Sequence, residues 1–270
     1  MRAFAIATAL LTSAATPVFA QGAPQPAGKT SAAIESAVRD PQRSEANRQR
    51  DQYRHPAETL AFFGVKPTDT LVEFSPGGGW YTEILAPLVK SKGRYVALVN
   101  ARGVEGTQKM LASKQAWFGP ATVATIDGAT GTSTVPAGSA DVVLTFRNVH
   151  NLLMNDDPEV AARAFKAFHT MLKPGGTLGV VDHRLPETMD TALEKKSGYI
   201  KRSTVVRLAQ AAGFRLAGES PVNANAKDTH DHPDGVWTLP PTFALKDVDR
   251  AKYAAIGESD RFTLKFVKAR

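Results

Sequence analysis

Cysteine is absent from the 270-residue sequence. Its absence excludes structural disulfides, thiolate catalysis and cysteine-ligated metals, and the chain therefore folds without redox help in an oxidising compartment. Dense basic runs are missing too, although lysine and arginine outnumber aspartate and glutamate by 33 to 26. Because the basic residues are interspersed with acidic ones, we interpret them as a solvated surface and expect no nucleic-acid partner.

No charge interrupts the apolar run that follows Arg2 in the first twenty residues, MRAFAIATALLTSAATPVFA. The run ends in Val18-Phe19-Ala20, a small-residue pattern typical of signal-peptide cleavage, and it is too short to span a membrane comfortably. The alternative, an N-terminal helix of the fold, is disfavoured because the linker-like QGAPQPAGKTS follows. We therefore expect cleavage after Ala20 and a periplasmic or secreted product without a stable membrane anchor.

Apolar segments of strand length alternate with amphipathic segments of helix length through most of the chain. Examples are the strand-like DTLVEF and ADVVLTF and the helix-like YTEILAPLVK. Early strands that are apolar throughout indicate a parallel sheet covered by helices on both faces. The last such segment, RFTLKFVKA, alternates Phe262, Leu264 and Phe266 with less apolar residues, which predicts a half-exposed antiparallel strand.

A glycine triplet, Gly77 to Gly79, joins the first strand to a helix, an order that places backbone N–H groups against a small ligand. A phosphate-binding P-loop is excluded because no lysine follows the glycines. A dinucleotide site, as in an NAD-dependent oxidoreductase, is disfavoured because Thr82 occupies the third glycine position. Glu73, at the end of the strand, would repel a pyrophosphate and suits a ligand with a cationic, amino-acid-like end.

The segment Glu73-Phe74-Ser75-Pro76-Gly77-Gly78-Gly79 resembles the first motif of class I S-adenosylmethionine (SAM)-dependent methyltransferases, with Ser75 at the first glycine. The resemblance continues in order through ADVVLTFRNVHNLL, MLKPGGTLGVVDH and AQAAGFRL. RHPAETLAFFGV and ESDRFTLKFVK narrow it to a family of exported, predicted methyltransferases that carry signal peptides. It implies a doubly wound α/β fold with a mostly parallel seven-stranded sheet of order 3-2-1-4-5-7-6, whose last strand is antiparallel.

On this basis we divide the chain into a signal peptide (1–20), a linker and N-terminal segment (21–45) and a SAM-methyltransferase-like domain (46–270). The resemblance implies SAM as cofactor, lying across the carboxyl ends of the first four strands. Glu73 would then hold its amino group. The turn residues would let the backbone approach its methionine portion: Ser75, Pro76, Gly77 and Gly79.

Two further positions carry over from the family to the nucleoside half of the cofactor. Asp127, after the third strand, matches a position that often bonds the adenine amine. Asn100, after the second strand, stands where the family has an acid that grips both ribose hydroxyls. Since a neutral hydrogen bond is weaker than a charged one, Asn100 predicts weaker cofactor binding or a different nucleoside-like ligand.

Polar side chains follow the predicted fourth and fifth strands, where a methyl acceptor would lie. Methyl transfer from a sulfonium needs the partners positioned and sometimes a proton removed from the acceptor. The candidates for these tasks are Arg147, Asn148, His150, Asp182 and His183. For each, a structural role in packing, capping or tying a strand to its loop stays open. The N-terminal RDQYRHP, with Tyr53, Arg54 and His55, could close over the pocket.

The loop DTHDHPDG (228–235) gathers aspartates and histidines without the regular spacing of a metal site, so we expect a polar surface loop and predict no metal. The leading interpretation is an exported SAM-dependent methyltransferase acting on a small molecule. The alternative is a non-catalytic periplasmic protein of the same fold that binds a nucleoside-like ligand.

Overall fold

The computed structural model describes residues 31–269, so the predicted signal peptide (1–20) lies outside the described residues. One mixed sheet runs through them in the order β3-β2-β1-β4-β5-β8-β7, with the short β6 paired to β5. The strands are β1 (Thr70–Phe74), β2 (Arg94–Val99), β3 (Thr122–Thr125), β4 (Ala140–Phe146), β5 (Leu172–Leu185), β6 (Ile200–Lys201), β7 (Phe214–Ser220) and β8 (Arg261–Lys268). With β6 set aside, this is the predicted seven-stranded order.

Strand direction also follows the prediction. The pairs β1–β2, β1–β4, β2–β3 and β4–β5 are parallel, whereas β8 is antiparallel to both of its neighbours. The mostly parallel α/β sheet with an antiparallel last strand is therefore confirmed.

Helices cover both faces of the sheet, and the sheet separates two apolar cores. They are α1 (Ala32–Val38), α2 (Glu45–Arg48), α3 (Asp51–Arg54), α4 (Pro56–Phe63), α5 (Thr82–Val89), α6 (Val104–Ser113), α7 (Gln115–Phe118), α8 (Val149–Leu153), α9 (Val160–Met171), α10 (Arg202–Ala211) and α11 (Arg250–Ile256). α9 buries Ala164, Phe165 and Phe168 on one stripe, as a 3.6-residue period requires. Across residues 31–269, no helix has the length and apolarity that crossing a membrane needs.

The prediction that the last strand is half exposed is wrong for its first half, whereas Lys265 and Val267 in its second half are partly exposed. β8 lies between β5 and β7, and Phe262, Leu264 and Phe266 are fully buried, as is Thr263 on the opposite face. Thr263 can be buried on the polar face because its hydroxyl accepts a hydrogen bond from the Asn223 amide at 2.8 Å. Alternation along the strand reveals which side chains are apolar, but the neighbouring strands and helices decide what is exposed.

The N-terminal segment packs onto the start of α5, beside the glycine turn. Ile34 of α1 is buried in the core that contains α5. The Asn47 amide donates to Glu83 at 2.9 Å, and the Asn47 carbonyl accepts the Trp80 indole N–H, also at 2.9 Å. These bonds hold α2 over the turn that follows β1.

Candidate functional site

Two cavities open along the carboxyl ends of β1, β2 and β4, and Ser75 lines both of them. The larger has a volume of about 930 Å³ and is also lined by Asn100 and Asp127. The smaller has a volume of about 210 Å³ and is walled by the glycine turn and by N-terminal arginines. Parallel α/β sheets bind ligands at this edge.

The turn after β1 leaves room at some glycines and not at others. Gly77 and Gly78 line the smaller cavity, and a Cβ built on either would meet nothing within 4 Å. A Cβ on Gly79 would instead lie 3.2 Å from the Met110 sulfur. Close approach of a ligand is therefore possible at Gly77 and Gly78, whereas Gly79 is needed for packing against α6.

Ser75 and Pro76 complete this turn. Ser75 has φ 51°, in the left-handed region, which explains why glycine suits this position in related motifs. Pro76 lines the smaller cavity and its carbonyl accepts the Gly79 N–H at 3.0 Å. The sequence thus keeps the turn geometry even though its first glycine is replaced.

Glu73 is buried at the end of β1 and belongs to a small hydrogen-bond network. Its Oε2 accepts the Tyr95 hydroxyl at 2.5 Å and the Thr82 hydroxyl at 3.0 Å, whereas its Oε1 accepts no hydrogen bond from residues 31–269. Burial raises the pKa of Glu73 to about 7, although the bonds from Tyr95 and Thr82 lower it. Thr82, which disfavours a dinucleotide motif, therefore serves to hold the Glu73 carboxyl.

Asn100 and Asp127 face the larger cavity from the ends of β2 and β3. The Asn100 Oδ1 accepts the Gly103 N–H at 3.0 Å and so caps a short 3-10 helix. The Asp127 Oδ1 accepts the Ala129 N–H at 2.7 Å. Each residue keeps its second polar atom free of hydrogen bonds within the described part of the chain.

His150 and Asp182 form a buried dyad between α8 and β5. The His150 Nδ1 lies 2.8 Å from the Asp182 Oδ1. The other carboxylate oxygen accepts the backbone N–H groups of Val149 at 2.8 Å and His150 at 3.2 Å. Asp182 therefore fixes the start of α8 and orients the imidazole through Nδ1, leaving Nε2 as the ring nitrogen that Asp182 does not engage. His150 itself lines neither cavity, whereas Asn148 lines the smaller and Leu152 the larger.

His183 completes this cluster from the next position of β5. Its ring centroid lies 5.0 Å from that of His150, and its Nδ1 lies 2.5 Å from the Ser259 hydroxyl. Burial, with the nearby His150 and Arg261, lowers the pKa of His183 well below its usual value, so this imidazole is neutral. His150, Asp182 and His183 each offer a ligand atom within 4.8 Å of the others, but both Asp182 oxygens already accept hydrogen bonds.

Arg147 and Asn148, between β4 and α8, differ in their roles. The Asn148 amide donates to the carbonyls of Ser75 at 3.1 Å and Phe146 at 3.0 Å, so it ties the ends of β1 and β4 together. Arg147 lines the smaller cavity, and its φ of 58° is left-handed. Burial lowers the pKa of Arg147 to about 10, and Arg261 repels its charge further.

A buried network of ion pairs borders the smaller cavity. We did not predict this network from the sequence. Glu258 accepts Arg50 at 2.6 Å and Arg54 at 3.0 Å and also pairs with Arg261. Burial opposes ionisation of Glu258, but Arg261, Arg54 and Arg50 outweigh it and hold its pKa well below the usual range. The sequence signal was the ESDRFTLKFVK motif, which contains Glu258 and Arg261. Of the RDQYRHP residues, Arg50 and Arg54 both pair with Glu258.

The 228–235 loop is only in part the polar surface loop we expected. Asp228 is buried because it accepts the Tyr199 hydroxyl at 3.0 Å and the backbone N–H of Asp260 at 2.8 Å. The His232 Nε2 lies 2.9 Å from the same carboxylate. The loop therefore anchors the segment before β8, and its exposed members, such as Asp231 and Asp234, surround this anchor.

Residues 72–180 match the model of a family described as "Methyltransferase domain". No curated protein sequence matches the chain. The matched segment begins in β1 and ends in β5, so it contains the glycine turn and His150 but not the N-terminal arginines that line the smaller cavity.

Solved structures share the fold at low sequence identity. A SAM dependent methyltransferase from Aquifex aeolicus is 16% identical with a TM-score of 0.54, over 87% of this chain and 96% of that chain. CrArsM, an arsenic(III) S-adenosylmethionine methyltransferase from Chlamydomonas reinhardtii, is 13% identical with a TM-score of 0.51, over 92% of this chain and 75% of that chain. The [4+2]-cyclase SpnF is 16% identical with a TM-score of 0.54, over 85% of this chain and 84% of that chain.

Proposed function

We propose that this chain, which has the fold of class I SAM-dependent methyltransferases, binds SAM and transfers its methyl group to a small molecule. The observation that carries the proposal is the pair of cavities joined at Ser75. The larger suits a nucleoside and the smaller an amino-acid group, and SAM consists of these two parts. The match over residues 72–180 supports the same conclusion.

The nucleoside half would occupy the larger cavity. Asn100 would offer its free amide to a ribose hydroxyl, and Asp127 its free oxygen to the adenine amine. The methionine half would lie against Gly77 and Gly78, with its ammonium group at the free Oε1 of Glu73. These roles are supported by the cavity linings and by the polar atoms that remain without partners among residues 31–269.

The methyl group would be presented toward α8, where His150 would accept a proton from the acceptor through Nε2. Asp182 supports this role because its bond to Nδ1 orients the ring and stabilises the imidazolium that forms. His183, neutral and beside His150, would pack against the acceptor or donate one hydrogen bond. Asn148 would act by holding the strand ends in position.

A methyl-transfer assay tests the proposal. Labelled methyl transfer from SAM to a small-molecule extract should be catalysed by the wild-type protein. His150→Ala should lower turnover about 10²- to 10⁴-fold, the usual contribution of a general base, with little change in SAM affinity. His169→Ala, a half-buried histidine of α9, is the matched control and should keep wild-type turnover. Tight SAM binding without transfer to any acceptor would overturn the enzymatic role.

A binding protein without turnover is the second candidate function. It is favoured by Asn100, whose Oδ1 is committed to the Gly103 N–H and which offers no carboxylate to the ribose. The structural neighbour described as a [4+2]-cyclase illustrates that this fold also serves reactions other than methyl transfer. A nucleoside-like ligand that co-purifies unchanged, with no transfer activity, would support this alternative.

Export is part of the proposal as well. Its support is the uncharged apolar run and the Val18-Phe19-Ala20 sequence within residues 1–20, together with the resemblance to exported methyltransferases. The mature protein would then begin at Gln21.

A further inference from the structure

The edge of the sheet opposite the two cavities carries most of the positive charge of the chain. Six strands begin at this edge and β8 ends there, because β8 is antiparallel to its neighbours. We call the seven segments at these strand ends the basic edge: residues 64–70, 90–94, 119–122, 136–141, 172–177, 212–215 and 265–269. They hold eight lysines and arginines but two aspartates, a net charge of +6 where the whole chain has +7.

Three of these basic side chains have structural partners. Lys173 pairs with Asp141 at 2.7 Å. Lys265 donates to a carbonyl of α4, and Lys268 donates to carbonyls at the end of α9, where a helix leaves its last carbonyls without backbone partners. The second aspartate, Asp69, is buried and accepts the backbone N–H of Lys66 at 2.8 Å. The remaining basic side chains of the basic edge therefore have no structural role of this kind.

These five remaining side chains are exposed and make no ion pair or hydrogen bond within residues 31–269. They are Lys66, Lys90, Lys92, Arg94 and Arg215. Four of them belong to two segments in contact, since the Arg94 N–H donates to the Asp69 carbonyl at 3.0 Å and a Cβ on Gly93 would collide with the same oxygen. Like charges gathered on one surface repel one another, and a negatively charged partner would relieve this repulsion.

The basic edge consists of short loops with small side chains between the charged residues. Gly-Pro-Ala at 119–121, Pro-Ala-Gly-Ser at 136–139 and Pro-Gly-Gly at 174–176 lie between the strand ends. The large apolar side chains that are exposed among residues 31–269 are Tyr53 and Val248, and both lie outside the basic edge. The basic edge therefore offers a partner positive charge but no large apolar side chain that could insert into it.

The spread of these charges narrows the choice of anionic partner. They extend from β2 to β7, five strand spacings or about 24 Å, so one small anion cannot contact them all. Nucleic-acid duplexes are read by a helix or ribbon that enters a groove, and unpaired bases stack on exposed aromatic rings. The residues of the basic edge provide neither of these. A bilayer with anionic lipids presents a broad negative surface that attracts basic residues without insertion.

We propose that the basic edge binds the surface of membranes that contain anionic phospholipids, reversibly and without insertion. Each basic residue near such a surface raises the affinity about fivefold. The two cavities lie at the other ends of strands of five to seven residues, about 16–23 Å away. A protein bound in this way keeps both cavities open to water, so the proposal is independent of the proposed function.

Co-sedimentation of the full chain with lipid vesicles tests the proposal. Vesicles of equal parts phosphatidylglycerol and phosphatidylcholine should bind the wild-type protein at about 50 mM salt and release it at about 300 mM, because salt screens the attraction. Vesicles of phosphatidylcholine alone should not bind it. The edge variant carries four substitutions: Lys66→Gln, Lys90→Gln, Lys92→Gln and Arg94→Gln. It should bind the anionic vesicles at least about 100-fold more weakly.

The matched control removes the same charge from exposed lysines near the opposite edge of the sheet: Lys196→Gln, Lys227→Gln, Lys246→Gln and Lys252→Gln. It should bind within about threefold of wild type, because interactions beyond a Debye length of about 10 Å are screened. The apolar run in residues 1–20 is common to all these proteins and cannot produce a difference between them. If the edge variant does not fold, Lys90→Gln combined with Lys92→Gln should still weaken binding about 25-fold.

Three outcomes would overturn the proposal. The first is an equal loss of binding in the edge variant and the control, which would mean that net charge alone drives binding. The second is no binding of the wild-type protein to anionic vesicles at low salt. The third is tighter binding to a DNA duplex than to vesicles, lost in the edge variant, because the partner would then be a nucleic acid.

Discussion

Replacing Glu73 by glutamine tests whether this buried acid holds a proton until a cationic ligand arrives. Burial raises the pKa of Glu73 from 4.5 to about 7. The folded protein therefore favours the protonated acid, which stabilises the fold fully below about pH 4.5, and this contribution is lost as the pH rises through about 7. At 1.36 kcal/mol per pKa unit, the loss amounts to about 3 kcal/mol. Glutamine is neutral at every pH, so Glu73→Gln should not show this loss of stability.

Chemical denaturation at pH 5 and pH 8 measures this difference. Between these two pH values, the free energy of unfolding should fall by about 2.5 kcal/mol more in wild type than in Glu73→Gln. Tyr95→Phe, which removes the 2.5 Å bond to Glu73, should raise the pKa further because that bond favours the ionised form. Equal pH dependence in wild type and Glu73→Gln would refute the raised pKa of Glu73.

Ligand binding should expel this proton. With a pKa of about 7, Glu73 is about half protonated at pH 7, and an ammonium group beside it would ionise it by lowering its pKa. Titration of S-adenosylhomocysteine in two buffers of different ionisation enthalpy should show release of about 0.5 proton at pH 7 and more at pH 6. Glu73→Gln should release none from this position and should bind about 1–3 kcal/mol more weakly. Identical proton release in both proteins would mean that the ammonium group does not contact Glu73.

Three further predictions concern the cofactor turn, the ribose position and the leader. Gly78→Val should abolish S-adenosylhomocysteine binding without unfolding the protein, because its side chain enters the smaller cavity. Gly106→Val, at an equally open glycine on α6, is the control. Equal affinities of the two variants in calorimetry would contradict the assignment. Asn100→Asp should strengthen nucleoside binding by about 1 kcal/mol, because a charged hydrogen bond replaces a neutral one and the bond from the Gly103 N–H is kept. Unchanged or weaker binding of 5′-methylthioadenosine would argue that the ribose lies elsewhere. Mass spectrometry of protein purified from its native host should find Gln21 at the N-terminus, and an intact Met1 would contradict export.

Periodicity was enough to predict a mostly parallel α/β sheet because it acts within single elements, whereas the strand order was implied by the family resemblance. Apolar strands such as ADVVLTF require cover on both faces. The motifs shared with the family give the order of the strands in the sheet. Alternation along β8 misled us for a definite reason. Thr263 is polar but fully buried, since its hydroxyl is paired with Asn223 from a distant loop.

The candidate site was only partly predictable because some of its pairs are far apart in sequence. Asp182 and His150 were both singled out, but their bond connects β5 to α8 and no local pattern encodes it. The ion pairs of Glu258 with Arg50 and Arg54 span 208 and 204 residues. The resemblance of ESDRFTLKFVK to a family motif does not reveal which residues Glu258 contacts. The fold brings Glu258 to Arg50 and Arg54 beside the cavity.

The position of β8 has a consequence for how the molecule assembles. The last strand is inserted between β5 and β7, so the sheet remains split until the C-terminal segment has joined it. Contacts between residues this distant in sequence form late and slowly in folding. The N-terminal arginines beside the glycine turn pair with Glu258 only when the segment before β8 is in place, so the ion network depends on the pairing of β8. A chain shortened before Arg261 should consequently keep its early helices and strands in an open, aggregation-prone form, which dye binding to exposed apolar surface would detect.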